Sequence, residues 1–410
     1  MMRTIFSTLL LAIAGFICIA QDVPEEIKYR RSSIYSIMVK HERQVFADTI
    51  ASVFLRMPVP DKYNDHDLSV KVVSTSYDSY VSRHTVEDFL NDNRIASRLV
   101  SKWFNRDFTN GICNVELIKS RGVYNASSVD IAIADNSARG RTMLEDAGME
   151  LINNTFVIIN DICYVDKSKK GQAWGNVLKA FSLFGAAVSM SNNKYDDAST
   201  YLTFGETAQQ VAQSYKGFTV KIYTHLFQLV WDENTQNTFY DMVYTEQKDL
   251  DSRDNIILYA DAFKLKYIGS QESDGSTTSF IGINLDKPQL MVQKACQRAI
   301  DDNVANLQKN FDVFKVKVPL LTSEPITAQI GKKEGITKNS RFEVLEVEVD
   351  INGHLQYKRV GEICPIEDKI WDNRFMASEE KAKNADLGVT TFKKLKGKDF
   401  YPGMLIREIK

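Results

Sequence analysis

Residues 155–165 read TFVIINDICYV and decide the fold, because a strand this apolar belongs inside a sheet with both faces covered. A helical pattern precedes the run and ends at the turn Asn153–Asn154. The apolar positions of that helix are Met143, Leu144, Ala147 and Leu151. The order of helix, turn and buried strand predicts a sheet with helices packed on it.

The N-terminal part of the predicted sheet opens with a β-α-β unit. Ile34–Val39 has the pattern of a strand, and LSVKVV at 68–73 has the same pattern. The helix between them is stopped by the proline-containing residues 57–60, and its apolar face comprises Phe46, Ile50, Phe54 and Leu55. A capping-box pattern at Thr85–Asp88 then predicts a single helix that continues to about residue 104.

Two hairpins and a long helix are predicted after the central strand. The first hairpin runs from FTVKIYTHLFQLVW at 218–231, across the polar turn 232–237, into TFYDMVYTEQ at 238–247. The second runs from NIILYADAFKLKYIG at 255–269 to TTSFIGI at 277–283, with Asp274–Gly275 as its turn signal. Pro288 suits the first turn of a helix, and the apolar stripe behind it predicts one long helix over 288–312.

The C-terminal part of the chain changes to short strands separated by turn residues. Asn352–Gly353 is a strong hairpin signal, and the apolar side of RFEVLEVEV at 341–349 changes parity, which predicts a β-bulge. Short strands over roughly 90 residues are typical of a small closed barrel.

Taken together, these patterns predict a fold of the α+β or α/β class. It consists of a mixed sheet with packed helices and a long hairpin, followed by a small SH3-like β-barrel domain. The predicted domains are an N-terminal α/β region at 21–128, a central α/β domain at 129–318 and the barrel at 319–410.

The first 20 residues have the pattern of a secretory signal peptide. MMRTIFSTLLLAIAGFICIAQD contains the positive Arg3, an apolar core at 9–19 and a small-residue cleavage site before Gln21. A lipoprotein would need Cys18 as its lipidated residue, but the bulky Phe16–Ile17 stands where small side chains are expected. The sequence therefore predicts export to the periplasm, the cell envelope or the outside, with no transmembrane helix in the mature chain.

Charge and cysteine content exclude several functional classes. Lys and Arg number 51 against 53 Asp and Glu, so the chain lacks the basic excess of nucleic-acid-binding proteins. No C-x-x-C pair exists, which removes the usual redox and zinc signatures. The cysteines after the leader are either buried free thiols, which is favoured in so long a chain, or disulfide partners. They are Cys113, Cys163, Cys296 and Cys364.

One short segment offers candidate metal ligands. Asp65, His66 and Asp67 bring two carboxylates and an imidazole together, which are ligand types that divalent metals accept. No second histidine lies nearby, and the segment follows residues 58–60, where polar turn residues are expected anyway. The alternatives are a metal site and a solvated loop.

A second segment, KIWDNRF at 369–375, is a candidate partner-binding patch. Trp371, Arg374 and Phe375 are residue types that dominate binding hot spots. In the structural alternative, Trp371 fills the barrel while Asp372 and Arg374 tie a loop.

The run WGNVLKAFSLFGAAVSM at 174–190 is a helical insertion with a broad apolar face. It is too short to span a bilayer, which needs about 20 apolar residues. It is either a core helix packed on the sheet or a contact helix for a membrane surface or a second subunit. The contact residues of the second alternative are Trp174, Leu178, Phe181 and Phe184.

The order of the central elements resembles a known family. The helix MLEDAGMELI, the strand TFVIINDI, an apolar insertion and a strand pair around Asp232–Thr235 resemble the α/β domain of the curli secretion channel family. The stretch 326–363, with a Gly-x-x-x-Gly turn and a strand ending at Val360–Gly361, resembles the small barrel of flagellar assembly protein T. The resemblance implies an envelope assembly protein without catalytic residues.

No G-x-S-x-G, P-loop or G-x-G-x-x-G motif exists in the chain. The sequence therefore predicts an exported, non-catalytic assembly or scaffolding factor that requires no cofactor. Its expected partners are other envelope proteins or further copies of itself, with peripheral membrane contact as an option. The alternatives are an exported metal-dependent hydrolase with its site at 65–67, and a surface module that binds glycans or partners through 369–375.

Overall fold

The computed structural model describes ten ranges of the chain. They are residues 32–44, 46–60, 62–107, 109–124, 148–149, 151–164, 219–244, 260–276, 288–349 and 355–409. Within them the protein is a mixed α+β structure, with a six-stranded mixed sheet followed by a closed six-stranded antiparallel β-barrel.

The sheet is built around strand β4, the apolar run that predicted it. Its strands are β1 Ser33–His41, β2 Asn64–Asp65, β3 Val72–Thr75, β4 Thr155–Tyr164, β5 Thr219–Leu229 and β6 Leu265–Ser276. β2 and β3 pair with the same edge of β1, and the order continues β1-β4-β5-β6. β1 is parallel to β2, β3 and β4, whereas β5 and β6 are antiparallel to their neighbours. The predicted β-α-β opening is confirmed, and strands from the predicted N-terminal region and central domain share one sheet.

Helices cover both faces of the sheet. They are α1 Ala47–Arg56, α2 Arg83–Asp92, α3 Ile95–Trp103, α4 Val115–Tyr124, α5 Glu233–Met242 and α6 Pro288–Asn310. On β4, Val157 and Ile159 belong to the core with α2 to α5, while Phe156 and Ile158 belong to the core with α1 and α6. Alternate side chains of a strand point to opposite faces, so an apolar strand needs a helix layer on each side.

One predicted helix is two helices in the structure. Ser82, not Thr85, is the N-cap of α2, and its hydroxyl accepts a hydrogen bond from the Thr85 amide at 3.2 Å. Arg94 has a left-handed backbone with φ 51°, which ends the helical path before α3 begins. The predicted apolar face of α1 also needs a correction, because Leu55 is exposed.

The first predicted hairpin is wrong, and the second has no turn at the predicted position, although its second strand at 277–283 lies outside the described ranges. The segment after β5 is helix α5, because Asp232 caps it by accepting hydrogen bonds from the Thr235 amide and hydroxyl at 2.9 and 2.8 Å. Asp274–Gly275 is not a turn but part of β6, where Gly275 pairs with Val220 of β5. The helix cap outweighs the local turn signal at Asp232, and the pairing with β5 outweighs it at Asp274–Gly275.

The C-terminal barrel is confirmed. Its strands are β7 Val318–Ser323, β8 Ile326–Ala328, β9 Phe342–Val349, β10 Leu355–Pro365, β11 Thr390–Gly397 and β12 Leu405–Glu408. They close in the order β10-β11-β8-β7-β12-β9. The predicted bulge is present between β9 and β10, but the extra residue is Val360 in β10, opposite Val344 and Leu345. β9 and β10 form the hairpin expected around Asn352–Gly353, although those two residues lie outside the described ranges.

Among the helices that the structure describes, none combines the length and the apolar content required to cross a bilayer. The leader at 1–20 and the insertion at 174–190 lie outside the described ranges, as do Trp174, Leu178, Phe181 and Phe184.

The two-sided packing makes a testable prediction about α6. Leu307 is fully buried between α6 and the sheet, whereas Leu55 on α1 is 53% exposed. We expect Leu307→Ala to lower the free energy of unfolding by about 2–5 kcal/mol, because it leaves a cavity. The matched control Leu55→Ala should change it by less than about 0.5 kcal/mol. Urea denaturation followed by circular dichroism measures both, and equal losses would contradict this packing.

Candidate functional site

A buried polar cluster lies where the parallel strands β1 and β4 end. His41 is the last residue of β1, and Asp161 and Cys163 lie near the end of β4. All three continue the alternation of Val39 and Ile159, so they share one face of the sheet. Parallel strands have their carboxyl ends at the same edge, which brings residues that are far apart in sequence to one place.

The His41 ring is fixed on both sides. Its Nδ1 lies 2.7 Å from the carbonyl oxygen of Tyr77, and a carbonyl can only accept, so Nδ1 carries the proton. Its Nε2 lies 2.5 Å from Asp161 Oδ1, within hydrogen-bonding distance. Asp161 Oδ2 accepts a hydrogen bond from the Val81 amide at 2.8 Å. Burial raises the pKa of Asp161, while the hydrogen bond from His41 opposes that rise.

Cys163 completes the cluster. Its Sγ lies 3.7 Å from Asp161 Oδ1 and accepts a hydrogen bond from Gln44 Nε2 at 3.3 Å. Burial raises the pKa of this thiol to about 12, so the thiol is protonated at neutral pH. Cys163 is nevertheless only partly buried, so solvent reaches this side of the cluster.

His225 on β5 contacts the same loop, at Val81. It lies opposite Ile159 of β4, and its Nε2 donates to the Val81 carbonyl at 3.2 Å. The Val81 peptide is therefore held on its amide side by Asp161 and on its carbonyl side by His225. Burial lowers the pKa of His225, so the ring is neutral, and its buried Nδ1 has no hydrogen-bond partner in the part of the chain that the structure describes.

His41, Asp161 and Cys163 are the residues of the described ranges that converge as metal ligands do. Their donor atoms all lie within 4.8 Å of one another, and no other group of three in the described ranges does this. The sequence prediction missed them because they come from distant segments. The local signal was a polar pair, Asn160–Asp161, inside an otherwise apolar strand.

The predicted metal ligands Asp65, His66 and Asp67 have a different arrangement. The two carboxylates lie 3.6 and 3.2 Å from Lys71 Nζ near the surface. The His66 ring is buried and stacks on Trp103 with ring centres 4.6 Å apart. Burial lowers the pKa of His66 to about 3, so it stays neutral. The three do not form the compact donor group seen at His41, and a metal at 65–67 stays a prediction.

The candidate patch Trp371, Arg374 and Phe375 lies between the barrel and α6. Arg374 donates to both carboxylate oxygens of Asp372 at 2.8 and 2.7 Å, and Trp371 Nε1 donates to the Ala385 carbonyl at 3.0 Å. The Phe375 carbonyl accepts two hydrogen bonds from the Arg298 guanidinium, at 3.2 and 2.9 Å. These residues make intramolecular contacts, and a role in binding a partner stays a prediction.

Helix α6 holds the barrel through charged groups. Arg298 Nη2 lies 2.8 Å from Glu380 Oε2, and Lys294 pairs with the same carboxylate. Further along the helix, Lys309 Nζ donates to the Gly335 carbonyl at 2.9 Å. Gly335 has φ +76°, and a side chain there would come within 2.9 Å of the Ala305 side chain, so the backbone approaches α6 closely.

The structure also shows the state of the cysteine thiols. Cys163, Cys296 and Cys364 are free, and Cys113 Sγ hydrogen-bonds the Gly111 carbonyl at 3.7 Å. The expectation of a buried free thiol is confirmed for Cys296, whereas Cys163 and Cys364 are free but only partly buried.

No protein-family model matches the chain, and no curated protein matches it significantly.

Asp301 on α6 gives a prediction about pH. Its carboxyl is buried beside Gln297 and faces Lys333 and Glu334 of the barrel, with Asp302 next to it. Burial raises its pKa to about 7, above the value of about 3.9 in an unfolded chain. The folded protein therefore binds this proton more tightly, and stability falls as pH rises from about 4 to about 7.

Asp301→Asn should remove the loss of stability that ionisation of this buried carboxyl causes. We expect it to raise the free energy of unfolding by about 1–3 kcal/mol at pH 8, since each tenfold change in proton affinity is about 1.4 kcal/mol. The difference from the unaltered protein should vanish near pH 4. Urea unfolding across this pH range measures it, with Asp241→Asn on the exposed side of α5 as the control. A constant difference at all pH values would contradict the burial argument.

Proposed function

We propose that this protein is an exported, non-catalytic cell-envelope protein that acts as an assembly or scaffolding factor through protein contacts. The leader-like residues 1–20 support export, and the lack of catalytic motifs supports a role in binding. In this proposal the barrel is of the SH3-like type. The resemblance to the flagellar and curli envelope proteins then reflects a shared mode of action, which is assembly through protein contacts.

The observation that carries the proposal is the attachment of the barrel to helix α6. Arg298 and Lys294 share the Glu380 carboxylate, and Arg298 also binds the Phe375 carbonyl. Lys294 is buried and Glu380 only partly exposed, so these pairs are largely removed from water. Charged contacts of this kind fix geometry more than they add stability, which suits a protein that presents two modules in a set orientation.

The polar cluster on the sheet also favours a non-catalytic role. Both ring nitrogens of His41 and both carboxylate oxygens of Asp161 have partners within the protein. A general base needs an accessible lone pair within reach of the proton it removes. This pair instead holds the loop that contains Tyr77 and Val81 against the sheet.

Cell fractionation tests export, and crosslinking tests assembly with other proteins or further copies of the chain. The full chain, expressed with its own leader in a bacterial host, should be recovered outside the cytoplasm with Gln21 at its N-terminus. Crosslinking in intact cells followed by light scattering of the purified protein should reveal a complex larger than one chain. Unprocessed protein in the cytosol, or a strict monomer without crosslinks, would contradict the proposal.

Reversal of the Glu380 charge tests whether barrel attachment matters for assembly. Glu380→Lys leaves Arg298 and Lys294 facing a third cation, and we expect the attachment to weaken by about 2 kcal/mol or more. Limited proteolysis between the modules should become faster and crosslinked complexes should be lost, while circular dichroism stays unchanged. The matched control Glu379→Lys alters an exposed neighbour and should behave like the unaltered protein. Intact complexes in Glu380→Lys would show that the attachment is dispensable.

A further inference from the structure

We propose that His41, Asp161 and Cys163 form a binding site for a divalent transition metal of the zinc type. The donor atoms are His41 Nε2, one carboxylate oxygen of Asp161 and Cys163 Sγ, which lie within 4.8 Å of one another. The inference goes beyond the proposed function, which assigns no ligand to these three side chains.

Each of the three donors is oriented by its own outer contact. The Tyr77 carbonyl accepts a hydrogen bond from His41 Nδ1, which leaves Nε2 as the atom directed at the site. The Val81 amide holds the second oxygen of Asp161, and Gln44 Nε2 donates to Cys163 Sγ. Ligands of bound metals have such outer partners, which set the ring tautomer and the direction of the lone pairs. A purely structural His–Asp pair would not require a hydrogen bond to the thiol.

The spacing fits a tetrahedral metal after a small movement. Bonds of about 2.0–2.3 Å place neighbouring ligand atoms roughly 3.3–3.8 Å apart around a tetrahedral ion. The separation between Cys163 Sγ and Asp161 Oδ1 is already 3.7 Å. The 2.5 Å between His41 Nε2 and Asp161 Oδ1 is shorter, as in a direct hydrogen bond. A metal ion bound by both atoms requires them to separate by about 1 Å.

Charge balance favours a divalent ion. The bound ligands would be a thiolate, a carboxylate and a neutral imidazole. The two negative charges neutralise the two positive charges of the metal, so the buried site carries no net charge. Imidazole and thiolate ligands select zinc and its neighbours over magnesium and calcium, which prefer oxygen ligands alone. Cys163 is partly exposed and gives the ion a path to the site.

Cobalt binding is the direct test, because Co²⁺ reports both its geometry and its sulfur ligand. The full chain is purified, reduced, treated with a chelator and titrated with Co²⁺. We expect one equivalent to bind, with the visible bands of tetrahedral cobalt and a thiolate-to-cobalt charge-transfer band. One equivalent of Zn²⁺ should abolish both. No binding, or binding without a charge-transfer band, would overturn the proposal.

Single-residue variants test whether the charge-transfer band arises from this cluster. Cys163→Ser should eliminate the charge-transfer band, while Cys296→Ser, a buried thiol on α6 outside the cluster, should leave it unchanged. Gln44→Ala should weaken the affinity for Co²⁺ by about 10–100-fold, since it removes an outer contact without altering a ligand. Gln44 is partly exposed, so this variant should fold even if a change at the buried His41 does not. Equal spectra for Cys163→Ser and Cys296→Ser, or unchanged affinity in Gln44→Ala, would count against the site.

Discussion

The structure depends on the burial of strand β4 from both sides. Phe156 and Ile158 face one core and Val157 and Ile159 the other, so neither face can be left to water. Helices α2 to α5 cover one face, and α1 and α6 cover the other. α6 packs Ala299 and Leu307 against the sheet, and from the same stretch it offers Arg298 and Lys309 to the barrel. The requirement to cover one strand thus determines where the second module is attached.

The parts of the fold that could be predicted from sequence are those with a regular pattern. β1, β4, α6 and the closed barrel follow from apolar periodicity and strong turn signals, which act within a few residues. The errors arose where patterns compete. Phe239 of α5 and Val243, which caps the end of that helix, are both buried, but aromatic and β-branched residues also suit a strand. The cap at Asp232 decides between the two. At Asp274–Gly275 the long neighbouring strand β5 prevails over a local turn preference.

The polar cluster could not be predicted in the same way. His41 and Asp161 are 120 residues apart, and Gln44 and Cys163 are 119 residues apart. Only the pairing of β1 with β4 brings them together, and a single sequence contains no direct record of that pairing. The segment 65–67 had the more obvious local pattern. In the fold, however, its residues alternate between the surface and the core, so its three donors point different ways.

A buried histidine and carboxylate in an apolar sheet are costly to remove from water, and the surrounding contacts offset that cost only when every donor and acceptor is used. His41 and Asp161 meet this condition through the backbone of Tyr77 and Val81. The same hydrogen bonds that stabilise the pair therefore fix the loop at the carboxyl ends of the parallel strands. In open sheets this edge is where ligands bind, since the loops there are free to diverge while the strands hold their geometry. A thiol added beside such a pair gives the fold no extra packing that an alanine or valine would not supply. The chemistry of the three side chains together, rather than their contribution to the core, accounts best for Cys163 at this position.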